Sequence, residues 1–564
     1  MIRRRPAPAP AALAGLPDTL HPLVRQLYAA RGAKTVIDAE LPLAALAPPQ
    51  LRGLSTAVAV LADTLSQGHR IVLAGDYDCD GATGVAVGVR GLRLLGAADV
   101  DYVVPDRFRM GYGLSPLLVD AAVARGARLI VTVDSGIASL DGVAHARALG
   151  VPVIVTDHHL PGPQLPAAAA IVNPNQPGCE FPSRHLAGVG VMFYLLAALR
   201  AHLRGLGQAL PSLSPLLDLV ALGTVADVVR LDTNNRVLVA AGLRRMRAGQ
   251  MHEGLRALLR VAGRESQHLT SQELGFVLGP RLNAAGRLDD IRTGIECLLS
   301  DDSLQAEALA QQLDRINRER RHIEADMRDS ALRISAEATA TGLCLFQPDW
   351  HEGIVGLVAS RVKDLHHRPV IAAARAQQPG MLKASGRTIP GLHLRDVLAE
   401  IDAAHPGMIE RFGGHAMAAG MSLPEANWPA FSAAFDAVCA THLDDDALQA
   451  VIDSDGELPG AWLDLEAALA LEAAGPWGQG FPEPQFDGLF AVQAVKFMGS
   501  AQQHLRYTLA HPDGGTVEAV HFGAADAALA AGQTARFVYR LGVNRWQQRV
   551  RPQLMVVHVE PAPT

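Results

Sequence analysis

Residues 71–81 read IVLAGDYDCDG: four apolar side chains run straight into a turn that carries Asp76, Asp78 and Asp80. A short, continuous apolar run that ends on a cluster of acids has the form of a buried strand in a parallel sheet. The same pattern recurs. VDYVV (100–104), LIVTV (129–133) and PVIVT (152–156) are further apolar runs; LIVTV leads into Asp134, and PVIVT leads into Asp157, His158 and His159. Between them, TGVAVGVRGLRLLG (83–96), SPLLVDAAVARG (115–126) and SLDGVAHARALG (139–150) keep helical spacing. Strand and helix in alternation predict an α/β domain with a doubly wound parallel sheet. In such a sheet the carboxyl ends of neighbouring strands open on one crevice, where ligands bind. LVALGTVADVV (219–229) adds Asp227, expected to follow a strand as the other acids do.

Working outward, 564 residues are too many for one hydrophobic core, and three or so domains are expected. AGVGVMFYLLAALRAHLRGLG (187–207) continues the first domain as a helix. The stretch 304–338 has no proline or glycine and keeps apolar residues at helical intervals, so it reads as one long connecting helix. A second, smaller α/β stretch follows. After about residue 450 come short runs separated by turn residues: GLFAVQAVKFM, HLRYTLA, GTVEAVHF, ARFVYRLGV and PQLMVVHV, the pattern of a small β-barrel. The expected limits are 1–45 for an N-terminal arm and helices, 46–300 for the first α/β domain, 301–338 for the connecting helix, 339–447 for the second α/β domain and 448–564 for the barrel. The opening MIRRRPAPAPAALAGLP is too rich in proline for a signal peptide and reads as a disordered arm.

No apolar run is long enough to span a bilayer. The five cysteines (Cys79, Cys179, Cys297, Cys344 and Cys439) lie far apart without a CxxC pair, which argues against a disulfide framework or thiolate zinc site and for a reducing cytoplasm. Cys79 is expected to be a small buried filler rather than a nucleophile. The formal net charge of −7 does not suggest a nucleic-acid binder, but affinity for phosphate depends on local patches.

An isolated DxDG is ordinarily a turn, and two adjacent histidines are ordinarily structural; the force of the signal is in their conjunction. Four separate segments would deliver at least five carboxylates and two imidazoles to one crevice. Like charges at that density require cations between them. Two divalent ions ~3.5–4 Å apart are the usual solution, and such a pair suits phosphoryl transfer by in-line attack of an activated water. No serine, cysteine or lysine nucleophile stands out.

GDYDCDG, VDSG, DHH and GTVADVV, in this order, resemble the signature of the DHH phosphoesterases. The likeness continues through PDRFRMGYGLS (105–115), GPRLNAAGRL (279–288), HEGIVGLVASRV (351–362), SGRT (385–388) and GGHAMAAG (413–420), which are similar to the RecJ branch of that family; GPWGQGFPEP (475–484) fits the start of its oligonucleotide-binding (OB) barrel. The resemblance implies a DHH domain, a DHH-associated domain and a C-terminal OB-like barrel. It implies a metal-dependent 5′→3′ exonuclease specific for single-stranded DNA, releasing 5′-mononucleotides in recombination and repair. Metal ligands fall on Asp78, Asp80, Asp134, His158 and Asp227, with Asp134 bridging. His159 faces the scissile phosphate, and Asp157 orients the histidines. Several family members have a histidine where this chain has Ala74, and Asp76 is the candidate to compensate. Carboxylates with one or two imidazoles favour two Mn2+ ions, with Mg2+ as the alternative.

The nucleic-acid-binding set implied is Arg109, Arg281, Asn283, Arg287, Ser385, Arg387, Gly413, Gly414 and His415. Within it, Arg109, Ser385 and Arg387 form a pocket for the 5′-terminal phosphate, which would set the direction of cutting. Aromatics of the barrel, interleaved with arginines, suit stacking of unpaired bases, although most of them must be core. The expected protein is a cytoplasmic monomer, with a single-strand-binding protein and a helicase as partners. The alternative is a DHH phosphodiesterase of short oligonucleotides or cyclic dinucleotides. A non-catalytic DNA-bound scaffold is disfavoured, because such proteins lose metal ligands and this chain keeps every carboxylate and both histidines.

Overall fold

The computed structural model describes residues 1–106, 110–336 and 339–562. The chain forms two compact units. One comprises 2–105, 112–279 and the C-terminal segment from 452; the other comprises 106–111 and 280–451, with Met1.

In the first unit a short strand, β1 (Ile2–Arg4), precedes the five strands of the central sheet: β2 (Ile71–Ala74), β3 (Val100–Val103), β4 (Leu129–Val133), β5 (Val153–Thr156) and β6 (Ala170–Val172). The order is β3-β2-β4-β5-β6, and every pairing is parallel. Strands β2, β4 and β5 are buried along their whole length, as expected of strands covered on both faces. Helices Leu54–Ser66, Cys79–Leu94 and Gly188–Gly205 pack together on one side, while Pro116–Ala124 and Leu140–Ala148 pack together against the sheet elsewhere. The doubly wound domain is therefore present, and Cys79 is buried as a filler.

One expectation is corrected here. Asp227 does not follow a strand: it caps the C-terminus of a helix, Leu217–Ala226. That helix is apolar on nearly every side and buried over its first eight residues, so its sequence carries no helical stripe to separate it from a strand.

In the second unit a mixed sheet has the order β10-β11-β9-β8-β7, from β7 (Leu343–Phe346), β8 (Val370–Arg375), β9 (Met381–Arg387), β10 (Arg411–Gly414) and β11 (Ala418–Pro424). Only β7 and β8 pair in parallel. Alternate residues of β8 serve two cores. Val370, Ala372 and Ala374 join Val355, Val358 and Val362 of the helix Val355–His366; Ile371 and Ala373 join Phe431 and Phe435 of the helix Trp428–His442. The long helix, Ser303–Ser335, packs on Arg292–Leu299 and on Val355–His366 within this same unit.

The C-terminal part of the first unit begins with β12 (Ile452–Ser454). It ends in a closed barrel of β13 (Phe486–Met498), β14 (His504–Ala510), β15 (Thr516–His521), β16 (Thr534–Trp546) and β17 (Arg549–Pro561), ordered β13-β14-β15-β17-β16. Phe490, Tyr507, Phe537 and Tyr539 fill its core, while Trp546 (70 % exposed), Phe522 (57 %) and Phe497 (50 %) face solvent. Of the nearby arginines, Arg536, Arg540 and Arg545 are paired with Asp487, Glu483 and Glu472.

The N-terminal arm is ordered, against the expectation of disorder. β1 pairs in parallel with β12, Ile2 opposite Ile452 and Arg4 opposite Ser454. Arg4 reaches the buried Asp487 at 2.7 Å, and Arg31 forms a buried pair with Asp455 at 2.7 Å. Paired charges and a strand partner replace the hydrophobic burial that the proline-rich sequence lacks.

Candidate active site

The turn after β2 is tight enough that a Cβ on Gly81 would stand 2.8 Å from the backbone N and O of Asp76. Asp78 caps the helix Cys79–Leu94 by accepting from Gly81 N–H at 3.0 Å. Asp80, in the first turn of that helix, is buried and accepts from the N–H groups of Gly188 and Val189 at 2.7 and 2.9 Å. These donors open the helix Gly188–Gly205, whose positive end faces the carboxylate. Asp134, directly after β4, has φ +60°, a left-handed conformation that a non-glycine residue holds only where its surroundings impose it. A Cβ on Gly188 would stand 2.5 Å from Asp134 Oδ1, so glycine at that position leaves room for the carboxylate.

The triplet after β5 is organised by its acid. Asp157 accepts from the N–H groups of His158 (2.7 Å), His159 (3.0 Å) and Ile137 (2.9 Å), and its Oδ1 lies 2.8 Å from His159 Nδ1. His158 Nε2 stands 3.1 Å from Asp134, 3.5 Å from Asp227 and 3.9 Å from Asp80. The candidate ligands named from the sequence therefore lie close together. Asp76, Asp78 and Asp134 bring one oxygen each to within 4.8 Å of one another, and Asp80, His158 and Asp227 do the same, as do Asp134, His158 and His159. Asp134 and His158 belong to two sets each. Ala74 is buried in β2, and Asp76 joins the first set.

Such a cluster is electrostatically poor without cations. Burial, then the nearby Asp78, pushes Asp80 from 3.8 up to about 7. Burial and the charges of Asp80 and Asp78 hold Asp134 well above the ordinary carboxylate range, and burial with Asp80 does the same for Asp227. Asp134 Oδ1 is buried without a hydrogen bond among the described residues. An all-oxygen and imidazole donor set with its protons displaced fits hard or borderline divalent cations. The other pair behaves oppositely: burial disfavours the charge on His159, but its hydrogen bond with Asp157 and the charges of Asp157, Asp227 and Asp76 together outweigh this and raise it to about 9, while the two histidines hold Asp157 below its usual value despite its own burial.

Three neighbours escaped the sequence reading. Asn173 Nδ2 donates to His159 O at 3.0 Å and Asn175 Nδ2 to His158 O at 2.6 Å, fixing the histidine backbone from the loop after β6. Their signal was the polar cluster NPNQ (173–176) directly behind the apolar AIV of β6. Tyr112 places its hydroxyl 3.2 Å from His159 Nδ1 and 3.2 Å from Asp134 O, and it lies inside the PDRFRMGYGLS motif.

The expected nucleic-acid residues lie in the second unit, apart from Arg109, which is outside the described residues. Ser385 and Arg387 share the same side of β9. A Cβ on Gly356 would stand 3.2 Å from Arg387 Nη2, so glycine keeps space open in front of the guanidinium. Among the described residues no carboxylate pairs with Arg387, and burial lowers its pKa. Gly413 and Gly414 end β10, and His415 follows in the hairpin, donating its N–H to Ala418 O at 2.8 Å. Asn283 and Arg287 lie on the helix Gly279–Leu288, where Arg287 reaches Gly353 O at 3.2 Å. Arg281, on the same helix, is buried in an ion pair with Asp314 at 2.8 Å.

Comparison with known proteins agrees over the whole chain. Residues 70–224 match the DHH family N-terminal domain, 338–441 the DHHA1 domain and 454–558 the RecJ OB domain. The single-stranded-DNA-specific exonuclease RecJ of Escherichia coli (strain K12) is 48% identical over 565 residues, spanning 97% of each chain. The Haemophilus influenzae protein of that name is 45% identical and spans 100% of this chain and 99% of its own. The crystal structure of Thermus thermophilus RecJ in complex with Mn2+ matches with a TM-score of 0.83 at 32% identity, covering 100% of this chain and 80% of that one; a complex with Mg2+ matches at 0.78, with 31% identity and 100% and 79% coverage. Shared architecture and near full-length identity lead to one assignment: the chain belongs to the RecJ family of single-stranded-DNA-specific exonucleases, metal-dependent hydrolases of the DHH superfamily.

Proposed function

We propose that this chain degrades single-stranded DNA from the 5′ end, releasing 5′-mononucleotides, with two divalent cations held by Asp76, Asp78, Asp80, Asp134, His158 and Asp227. The observation that carries the reading is the pair of ligand sets, Asp76/Asp78/Asp134 and Asp80/His158/Asp227, joined through Asp134 and His158. When bound, such cations supply Lewis acidity and an activated water for in-line attack on phosphorus. Mn2+ is the preferred ion and Mg2+ the alternative.

The chain's own groups do the rest. Asp157 fixes the ring of His159 through Nδ1 and so turns Nε2 towards the substrate, where it donates to a phosphoryl oxygen. The Tyr112 hydroxyl lies 3.2 Å from Nδ1 and 3.3 Å from Nε2 of this imidazole. Ser385 and Arg387, with Arg109, hold the 5′-terminal phosphate, so that the bond cut is the next one inward. The space before Arg387 left by Gly356 and the absence of a carboxylate partner among the described residues support this role. Asn283, Arg287, Gly413, Gly414 and His415 contact the strand further on. Arg281 serves it indirectly, since its charge is matched by Asp314. Trp546, Phe497 and Phe522 are the barrel aromatics free to stack on bases. The enzyme works as a cytoplasmic monomer in recombination and repair, beside a single-strand-binding protein and a helicase. No helix among the described residues is long and apolar enough to cross a membrane.

The test is incubation with Mn2+ of single-stranded DNA labelled at its 3′ end, beside the same strand in a blunt duplex. Progressive shortening to small 3′-labelled fragments, with the duplex spared, is the expected result. An intact long strand together with turnover of dinucleotides would replace the exonuclease by a short-oligonucleotide phosphodiesterase.

A further inference from the structure

The segment that carries Asp227 out of its helix is supported by a turn about 250 residues later in the chain. Val228, next to Asp227, has φ +60°, which is strained for a β-branched residue and needs an external hold. Three residues on, Leu231 donates its N–H to Gln479 O at 2.7 Å. Gln479 sits in the turn Gly478–Phe481, closed by Gly478 N–H to Phe481 O at 2.9 Å and Phe481 N–H to Gly478 O at 3.1 Å.

The contact between turn and segment is close on both sides of this hydrogen bond. A Cβ on Gly478 would stand 2.7 Å from Leu231 Cδ1, and one on Gly480 would stand 2.4 Å from Arg230 Cγ. The turn is itself rigid. Trp477 and Phe481 stack at 5.3 Å, Tyr28 meets both edge-on, and Ser271 Oγ donates to Trp477 O at 2.6 Å. Behind it lies Arg236, only 2 % exposed, with its guanidinium 3.7 Å from the centre of the Phe481 ring and 5.3 Å from that of Tyr28. Its Nε and Nη2 have no hydrogen-bond partner among the described residues. A buried cation held by ring faces instead of a carboxylate is an expensive way to fill a core, and it ties the turn to the helix that begins at Thr233.

We infer that the Gly478–Phe481 turn and the Arg236 cage behind it are positioning elements of the metal centre: they hold residues 228–231 so that Asp227 stays aimed at its partners Asp80 and His158. The inference rests on Asp227 being a metal ligand. No described residue of the turn touches the ligand cluster; the effect passes through the backbone from Leu231 to Asp227. Glycine at 478 then lets Leu231 approach closely, and the strained Val228 marks where the hold is applied.

The test measures Mn2+ binding to DNA-free protein by calorimetry, on wild type, Gly478→Val, Arg236→Met and Asp227→Asn, with circular dichroism to establish that each is folded. Gly478→Val presses two methyl groups on Leu231, and Arg236→Met removes the caged charge at similar length. Both should bind Mn2+ about 10-fold more weakly, the size of effect seen when the support of a ligand is lost. If both folded variants bind Mn2+ as wild type does while Asp227→Asn binds it more weakly, the support role is overturned and the metal site stands. Should Gly478→Val not fold, Arg236→Met decides alone. If Asp227→Asn leaves Mn2+ binding intact, Asp227 is not a ligand and the inference falls with that reading.

Discussion

His159 Nδ1 and Asp157 Oδ1 are 2.8 Å apart, and the same carboxylate also gathers three backbone N–H groups. Asp157 thus sets both the ring and the backbone of the triplet. Asp157→Asn keeps the size but loses the charge that fixes the imidazole proton on Nδ1. We expect kcat to fall by about 10- to 100-fold with DNA affinity little changed. Steady-state rates on a long single strand would decide it, and a variant with wild-type kcat would remove Asp157 from the mechanism.

Metal and pH should act together on stability. Asp80, Asp134 and Asp227 have raised pKa values, so the folded protein retains protons that the unfolded chain has already released. The metal-free protein therefore loses stability as pH rises above about 4 and through about 7, where Asp80 gives up its proton, and divalent cations restore it. The rise in Tm on adding Mn2+ should be larger at pH 7.5 than at pH 5. Asp134→Asn should shrink that difference and abolish cleavage. Equal Mn2+ shifts at both pH values would contradict the argument.

Arg387 is half-buried on β9 with no carboxylate opposite it among the described residues. Arg387→Ala should leave cleavage of 5′-hydroxyl strands largely intact. The advantage of 5′-phosphorylated strands in kcat/KM should drop by about 10- to 100-fold, the value of a charge-assisted hydrogen bond. Identical ratios for variant and wild type would move the phosphate pocket elsewhere.

Trp546, at the tip of the β16–β17 hairpin, is the most exposed aromatic of the barrel. Trp546→Ala should weaken binding of a long single strand by ~1–3 kcal/mol, the worth of one base–aromatic stack. Turnover of strands too short to reach the barrel should be unchanged. Fluorescence anisotropy with catalysis blocked by chelator gives the affinity, and an unaltered Kd would exclude Trp546 from the DNA track.

Most of the site was legible because its acids and histidines follow apolar strands immediately, and a parallel sheet leaves little choice about where those ends meet. Asp227 was found as a residue but misplaced as structure, since a helix apolar on every side hides its period. The pairing of Arg281 with Asp314 was beyond reach, because nothing local marks two charges on different helices as partners. Asn173, Asn175 and Tyr112 act through hydrogen bonds to the histidines and Asp134 that only the folded chain brings together, and their residue types occur too often in loops to be singled out. The N-terminal arm was misread for a related reason: a three-residue strand has no pattern of its own, and its partner is remote.

That remoteness has a consequence for how the protein is made. Arg3 and Asp453 are 450 residues apart in sequence, yet they lie side by side. At ~5–20 residues per second, roughly 20 to 90 s of translation separate the appearance of β1 from that of β12. Throughout that interval the nascent amino terminus holds three arginines and an unpaired strand, and the central sheet is complete long before the interval ends. The closing of β1 onto β12 therefore waits until most of the chain has been made, and it follows the folding of the central sheet rather than leading it.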